Sequence, residues 1–518
     1  MKRRTFIQRL ASTGIVLPIA MGLPKMRAFA KSPAGSPFMR LASSTNDHVM
    51  VLIRLAGGND GLNTVVPHTD STYYTARKQG QADDCSIAAD TVLKLPDHQS
   101  LGLHPSLAGL HELYGEQKVA IIQNVGYPNQ NLSHFRSTDI WLSGSDYNVY
   151  DNAGWYAKYL EEKYPDYPSV LPSDPFAIEF GTFLSTTLIG ENNNMGIALA
   201  DLSYIPGQPG VDPVRTTHAG DEEAYVRSID QQSNIFSTSI IAAYAKVLAN
   251  KVTYPTQGNL LATVLSGVAR LIAGGLGTQF YIVNAGGYDT HSDQLTRQKT
   301  LHQQLADAVK AFQRDMEAFG LDQRVSLMTI SEFGRRVASN GTGTDHGSAA
   351  PQFVIGSSVN GGVFGSDPNL TDLESPGNIK MQYDFRQIYA SVLGQWYGAT
   401  DDFIAPKALP RQFDQIPIFK TSGQSGVQTP QYAGALQLGQ NFPNPANGST
   451  VIPLQGVFDA AGGRLAIYDV DGGVVFSQAV APGQAELELS TRGMASGTYV
   501  YELTSGGVRR SRTMIVSH

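Results

Sequence analysis

Apolar and polar positions follow two rhythms along this chain. Residues 48–56, His-Val-Met-Val-Leu-Ile-Arg-Leu-Ala, are almost continuously apolar. A run of that kind is what a strand buried on both faces of a parallel sheet requires. Residues 118–125, 279–285 and 324–330 read the same way, and Gln352-Phe353-Val354-Ile355-Gly356 makes a fifth strand. Between them the apolar spacing is helical. Residues 105–115 carry Leu107, Leu110 and Leu113. Residues 232–250 and 258–274 are long, amphipathic and rich in alanine and leucine. Residues 296–319 align Leu301, Leu305, Val309, Phe312, Met316 and Phe319 on one face, and 384–397 add one more helix. Strands alternating with helices of this length predict an α/β fold, a mostly parallel sheet with helices on both faces.

The rhythm changes after Leu409. Residues 420–435, rich in Ser, Gly, Gln and Thr, read as a linker. From Leu436 onward short strands follow at 451–454, 464–469, 473–476, 485–489 and 498–503. Turns such as Asp471-Gly472-Gly473 and Ser505-Gly506-Gly507 separate them. This pattern predicts a small all-β sandwich over 436–518.

The first 30 residues have a targeting pattern. Lys2, Arg3, Arg4 and Arg9 precede an apolar stretch from Leu10 to Leu23, and Ala28-Phe29-Ala30 offers a small-residue cleavage site. Arg3-Arg4-Thr5-Phe6-Ile7 looks like a twin-arginine signal, which implies export in the folded state. The expected organisation is a signal peptide at 1–30, a large domain at 31–419, the linker at 420–435 and the sandwich at 436–518. Removing the signal takes away six basic and no acidic residues, so the net charge moves from −7 to −13. That balance argues against nucleic acid as a partner. No second apolar stretch is long enough to span a bilayer, so the mature chain is expected to lack a transmembrane segment. The single cysteine, Cys85, excludes an internal disulfide and any CxxC motif.

Three clusters carry candidate chemistry, each after a strand-like run: Asp60 in Gly57-Gly58-Asn59-Asp60-Gly61, Asp289 and His291 in Gly287-Tyr288-Asp289-Thr290-His291, and Asp345-His346 before Gly347. An α/β fold gathers such side chains at the carboxyl ends of its strands. Carboxylate with imidazole is a ligand set for zinc, manganese or calcium. Ser133 opens a helical segment, where free N–H groups favour an anion, and is the candidate nucleophile; Arg136 is the candidate anion clamp. Plainer roles compete: Ser133 as a helix cap, Arg136 paired with Asp139, Asp60 as a turn residue, and Glu332 with Arg335 as a structural ion pair.

Several segments together resemble the bacterial family known as domain of unknown function 1501 (DUF1501). They are Gly57–Pro67, Leu103-His104-Pro105, Gly126-Tyr127-Pro128-Asn129, Ser133-His134-Phe135-Arg136-Ser137, the Asp289 and His291 cluster, Glu332-Phe333-Gly334-Arg335, and Thr344-Asp345-His346-Gly347. That family is grouped with the alkaline phosphatase and sulfatase-like superfamily. The resemblance implies an alkaline phosphatase-like sheet and one or two divalent metals held by Asp60, Asp289, His291, Asp345 and His346. The superfamily's third histidine after the Asp-His-Gly segment is missing here, so either the site holds one metal rather than two or an earlier residue such as His104 or His134 substitutes. The tail resembles the type IX secretion C-terminal sorting domain through Leu438-Gly439-Gln440-Asn441-Phe442-Pro443-Asn444-Pro445, Ile467-Tyr468-Asp469-Val470-Asp471-Gly472 and Ser496-Gly497-Thr498-Tyr499. The joint expectation is an exported metal-dependent hydrolase of phosphate or sulfate esters, on small anionic or polysaccharide substrates. It would be handled by the twin-arginine translocase and the type IX machinery, pass through the periplasm, and end at the cell surface or outside. The rival expectation is a non-catalytic surface protein that binds a glycan or another partner.

Overall fold

The computed structural model describes residues 47–200 and 236–420, and in the tail 437–438, 441–455, 463–469, 473–481, 484, 486–505 and 508–517. The twin-arginine segment and the Ser/Gly-rich linker lie outside the described residues. Two compact units are present, one from Asp47–Ser422 and one from Gly423–His518.

The first unit is built on a nine-stranded sheet. Its strands are β1 (Val49–Leu55), β2 (Val119–Gly126), β3 (Ala177–Phe180), β4 (Ile197–Leu199), β5 (Phe280–Ala285), β6 (Val325–Ile330), β9 (Ala350–Ile355), β10 (Gly362–Phe364) and β11 (Tyr383–Asp384). Between β6 and β9 stands a separate hairpin, β7 (Arg335–Ser339) and β8 (Thr344–His346). The sheet order is β10-β2-β9-β6-β1-β5-β3-β4, with β11 also on β2. Strand β9 runs antiparallel to β2 and β6; every other pairing in this sheet is parallel.

The apolar runs have a physical reason. Side chains alternate across a strand, so Val49, Val51, Ile53 and Leu55 of β1 enter one core while Met50 and Leu52 enter another. Helices cover both faces. On the first face lie α2 (Ala108–Gly115), α5 (Leu260–Ala273) and α6 (Gln294–Phe319); on the second lie α3 (His134–Ser143), α4 (Trp155–Lys163) and α7 (Phe385–Ser391). All five expected strands form within one or two residues of their predicted ends. Helix α6 buries Leu305, Val309, Phe312 and Met316 as its periodicity requires, and stops at Gly320, a left-handed residue at φ 71°. The predicted helix at 384–397 changes character at Val392, where a wider π turn takes over to Trp396.

The second unit is all β. Eight strands surround one core that includes Leu438, Ile452, Leu454, Leu465, Ile467, Tyr501, Leu503 and Met514. The alternating burial of Gly497–Ser505 matches its alternating sequence.

Candidate metal centre

Strands β6, β1 and β5 are neighbours and parallel, so their carboxyl ends open onto one crevice. The loop after β1 supplies Gly57 to Asp60, the loop after β5 supplies Asp289 and His291, the loop after β6 supplies Glu332, and Arg335 opens strand β7. Close backbone contact fixes these loops. Gly57 has φ 125°, and a Cβ there would sit 2.3 Å from the Asp289 amide nitrogen. Only glycine tolerates both the dihedral and the contact.

Arg335 is the clasp beneath the site. It is fully buried and donates from Nε to the Gly58 carbonyl at 2.7 Å, from Nη1 to Thr344 at 2.9 Å, and from Nη2 to the Asp289 carboxylate at 2.6 Å. Burial works against the charge on Asp289. The hydrogen bond and charge of Arg335, with smaller help from His346 and His291, nevertheless hold its pKa down at about 2.

Three imidazoles surround that carboxylate. His134 Nδ1 donates to Glu332 Oε1 at 3.0 Å, and His346 Nδ1 donates to the Leu132 carbonyl at 2.8 Å. His291 Nδ1 lies 3.7 Å from Asp345 Oδ1. For His134 and His346 these acceptors favour the proton on Nδ1 and leave the Nε2 lone pair toward the crevice. All three Nε2 atoms approach the Asp289 carboxylate: His134 lies 3.4 Å from Oδ2, and His291 and His346 lie 3.1 Å and 3.3 Å from Oδ1. His291 and His346 also face each other through Nε2 at 3.0 Å. Burial, against the pull of the Leu132 carbonyl, keeps the His346 pKa below its usual value, so it is neutral near pH 7.

Donor atoms that hold one ion tetrahedrally at about 2.0–2.1 Å lie about 3.3 Å apart, and the His134–Asp289 and His346–Asp289 separations are close to that value. The ligand atoms of His134, Asp289 and His346 all lie within 4.8 Å of one another. Glu332 Oε2 is buried and has no hydrogen-bond partner among the described residues. The residues present therefore fit a divalent metal.

The structure brings together Asp289, His291 and His346 of the expected set and adds His134. Asp345 stands behind His291, with Oδ1 accepting from Asn340 Nδ2 at 2.7 Å. Asp60 is elsewhere. It is fully buried and caps helix α1 (Gly61–Thr64); its carboxylate accepts from Arg77 Nη1 and Nη2, from the amides of Leu62 and Asn63, and from Gln294 Nε2 at 2.5 Å. Those five donors saturate it, so the expectation that Asp60 binds metal gives way to a buried ion pair. Arg136 is engaged elsewhere through Nη2. Its Nη2 donates to the carbonyls of Tyr147 at 3.0 Å and Val149 at 2.6 Å, and its guanidinium stacks 4.0 Å over Tyr150. It holds a loop in place of both an anion and the expected Asp139. Ser133 is exposed at the N-cap of α3, and its hydroxyl makes no capping bond. The expected Glu332–Arg335 ion pair is replaced by the two contacts described above. His104 lies apart, its Nδ1 accepting from the Ser106 amide at 3.0 Å.

Sequence reasoning passed over Gln294. Its side chain joins the loops after β1 and β5 to strand β8: Nε2 donates to Asp60, while Oε1 accepts from Thr344 Oγ1 at 2.6 Å and Thr290 Oγ1 at 3.0 Å. The available signal was a polar stripe, Gln294, Gln298 and His302, on the helical face that carries Leu305 and Val309 further on.

Residues 266–408 match the family described as protein of unknown function DUF1501, and residues 440–517 match the secretion system C-terminal sorting domain. The chain thus carries regions of both families that its motifs resemble. The first match includes Asp289, His291, Glu332, Arg335, Asp345 and His346 but stops short of Asp60 and His134. No curated protein sequence matches the chain. Among solved structures, a Bacteroides thetaiotaomicron protein from work on glycosaminoglycan metabolism is similar at 11% identity, 86% of this chain, 90% of that chain and TM-score 0.32. A 2-O GAG sulfatase is similar at 11% identity, covering 86% of each chain, with TM-score 0.31. A Vibrio parahaemolyticus protein in the alkaline phosphatase superfamily is similar at 10% identity, 89% of this chain, 82% of that chain and TM-score 0.31. No helix of the described residues is long and apolar enough to cross a membrane. The sorting domain marks the chain for export to the cell surface or beyond.

Proposed function

We propose that this is an exported metal-dependent hydrolase of phosphate or sulfate esters, with one divalent ion held by His134, His291, His346 and Asp289. The observation that carries the reading is the convergence of three imidazole Nε2 atoms on the Asp289 carboxylate. Three nitrogens and one oxygen suit zinc first, manganese less, and calcium least, because calcium takes oxygen ligands. When bound, such an ion polarises a phosphoryl or sulfuryl oxygen.

The chain's own residues divide the remaining work. Glu332 and the Leu132 carbonyl orient His134 and His346, and Arg335 holds Asp289 in place. Ser133, exposed, with no capping bond from its hydroxyl and next to His134, is the proposed nucleophile for in-line attack. Small anionic esters or polysaccharide esters are the proposed substrates. The twin-arginine translocase and the type IX machinery are the proposed export partners, with the periplasm as the route.

A second reading has its own support. Four protein donors close a tetrahedral shell, whereas catalytic zinc keeps a position open. His291, whose side chain is 44% exposed, decides between them. If it swings aside, His134, Asp289 and His346 leave a site open to an ester; if it stays, the protein binds a glycan or partner without turnover. The test is hydrolysis of p-nitrophenyl phosphate and p-nitrophenyl sulfate by the full chain loaded with zinc or manganese. Turnover that disappears in His134→Ala supports the hydrolase. Metal loading without turnover of either ester supports the binding protein.

A further inference from the structure

We propose that four exposed aromatic side chains around this centre form a platform for a polysaccharide chain, whose sugar rings stack on them. This rests on the metal reading above and deepens it. The exposed aromatic side chains among the described residues are Phe135 at 87%, Tyr150 at 81%, Phe183 and Tyr147. All four stand on the crevice side of the first unit. Phe135 follows His134 in the first turn of α3. Helical side chains lean toward the N-terminus of their helix, here the end that carries His134. Arg136 brings Tyr150 to the same turn, its guanidinium 4.0 Å from the ring centroid. Tyr147 belongs to the same loop as Tyr150. Phe183 lies in the loop after β3, and β3 runs parallel to β5, so that loop opens at the same edge as Asp289 and His291.

The loops that carry the rings are tied down. Beside the two carbonyl bonds from Arg136, the Asp146 carboxylate accepts from Arg411 Nη1 at 2.7 Å and from Arg386 Nη1. Tyr150 therefore rests on a guanidinium that is itself fixed, with most of its ring in water. Ahead of Phe183, the buried Glu179 carboxylate accepts from the Ser185 amide at 2.6 Å and closes that loop. Ordering the surface beforehand removes part of the entropic cost of binding.

A sugar chain fits such a surface. The C–H face of a pyranose is apolar, and its hydrogens meet the negative face of an aromatic ring while its hydroxyls stay in water. The platform is also continuous with the centre, since a unit stacked on Phe135 lies one residue from His134. A second copy of this chain is a poorer occupant. A stable contact needs about 800 Å² per partner, and an aromatic side chain buries about 150–250 Å², so Phe135 and Tyr150 together fall short of it.

The experiment is calorimetric titration of the full chain with glucose, cellohexaose, xylohexaose and a chondroitin sulfate hexasaccharide. Wild type, Phe135→Ala, Tyr150→Ala, Tyr150→Phe and the double alanine variant are compared, each zinc-loaded and chelator-treated, with zinc content measured before sugar is added. Wild type should bind at least one hexasaccharide but not glucose, and should still do so after chelation, because the platform contains no metal ligand. Each single alanine variant should lose about tenfold in affinity and the double variant all measurable binding, at wild-type zinc content, while Tyr150→Phe keeps its ring and binds as wild type. The hexasaccharide bound most tightly identifies the backbone. No hexasaccharide binding by wild type, or wild-type affinity in the double variant, overturns the proposal. So does a concentration-dependent dimer in sedimentation that the double variant abolishes, which would make the rings a contact between copies. Failure of wild type to take up zinc is a separate result and strikes the metal reading, not the platform.

Discussion

Asp60 and Arg77 form an ion pair in which neither side chain reaches solvent. The arrangement ties the loop after the first strand to residue 77. It also takes the carboxylate out of reach of the crevice. Breaking a buried pair by removing one partner leaves an uncompensated charge and costs about 3–5 kcal/mol. Asp60→Asn should therefore lower the urea midpoint of unfolding by that equivalent, while metal per folded chain stays at the wild-type level. Loss of metal at unchanged stability would return Asp60 to the ligand set.

Ser133 separates two roles that the sequence leaves entangled. Replacing a working N-cap serine by alanine typically costs about 1 kcal/mol. Here the hydroxyl makes no capping bond, so Ser133→Ala should change stability by less than about 0.5 kcal/mol. Its effect should fall on turnover of p-nitrophenyl esters, reduced about 100-fold or more, with metal content intact. A clear drop in thermal midpoint with unchanged turnover would make it a structural cap.

His104 offers a pH signature away from the site. Burial, with help from the charge of Lys299, lowers its pKa from 6.5 to about 4. Between those values the unfolded chain takes up a proton that the folded chain refuses. The stability is fully present above pH 6.5 and is lost as pH falls toward 4, on the order of 3 kcal/mol for this group. Denaturation of chelator-treated protein at pH 7.5 and 4.5 should show a smaller acid loss in His104→Gln, whose amide oxygen can still accept from Ser106. An identical acid loss in both proteins would rule out this contribution.

The sheet was legible in the sequence because strands buried on both faces must be apolar throughout, as Val49 to Leu55 are. The hairpin that carries Arg335 opposite His346 was not, since its few residues are mostly polar and show no alternation. Asp289, His291 and His346 were readable as acid and imidazole after strand-like runs. Asp60 misled because an acid at a strand end has the same appearance whether it meets a cation or a buried arginine, and Arg77 lies 17 residues further on. His134 stood only as an alternative to a missing histidine. What brings it in is the packing of α3 against the β6 loop, where Ser137 Oγ donates to the Glu332 carbonyl and His134 meets the Glu332 carboxylate.

Metal content tests the central claim most directly. Mass spectrometry of the purified full chain, beside Asp289→Ala and His134→Ala, should find about one zinc-class ion per wild-type chain and near none in either variant, with circular dichroism unchanged. No stoichiometric metal in wild type after zinc is supplied, or full metal retained in both variants, would contradict it.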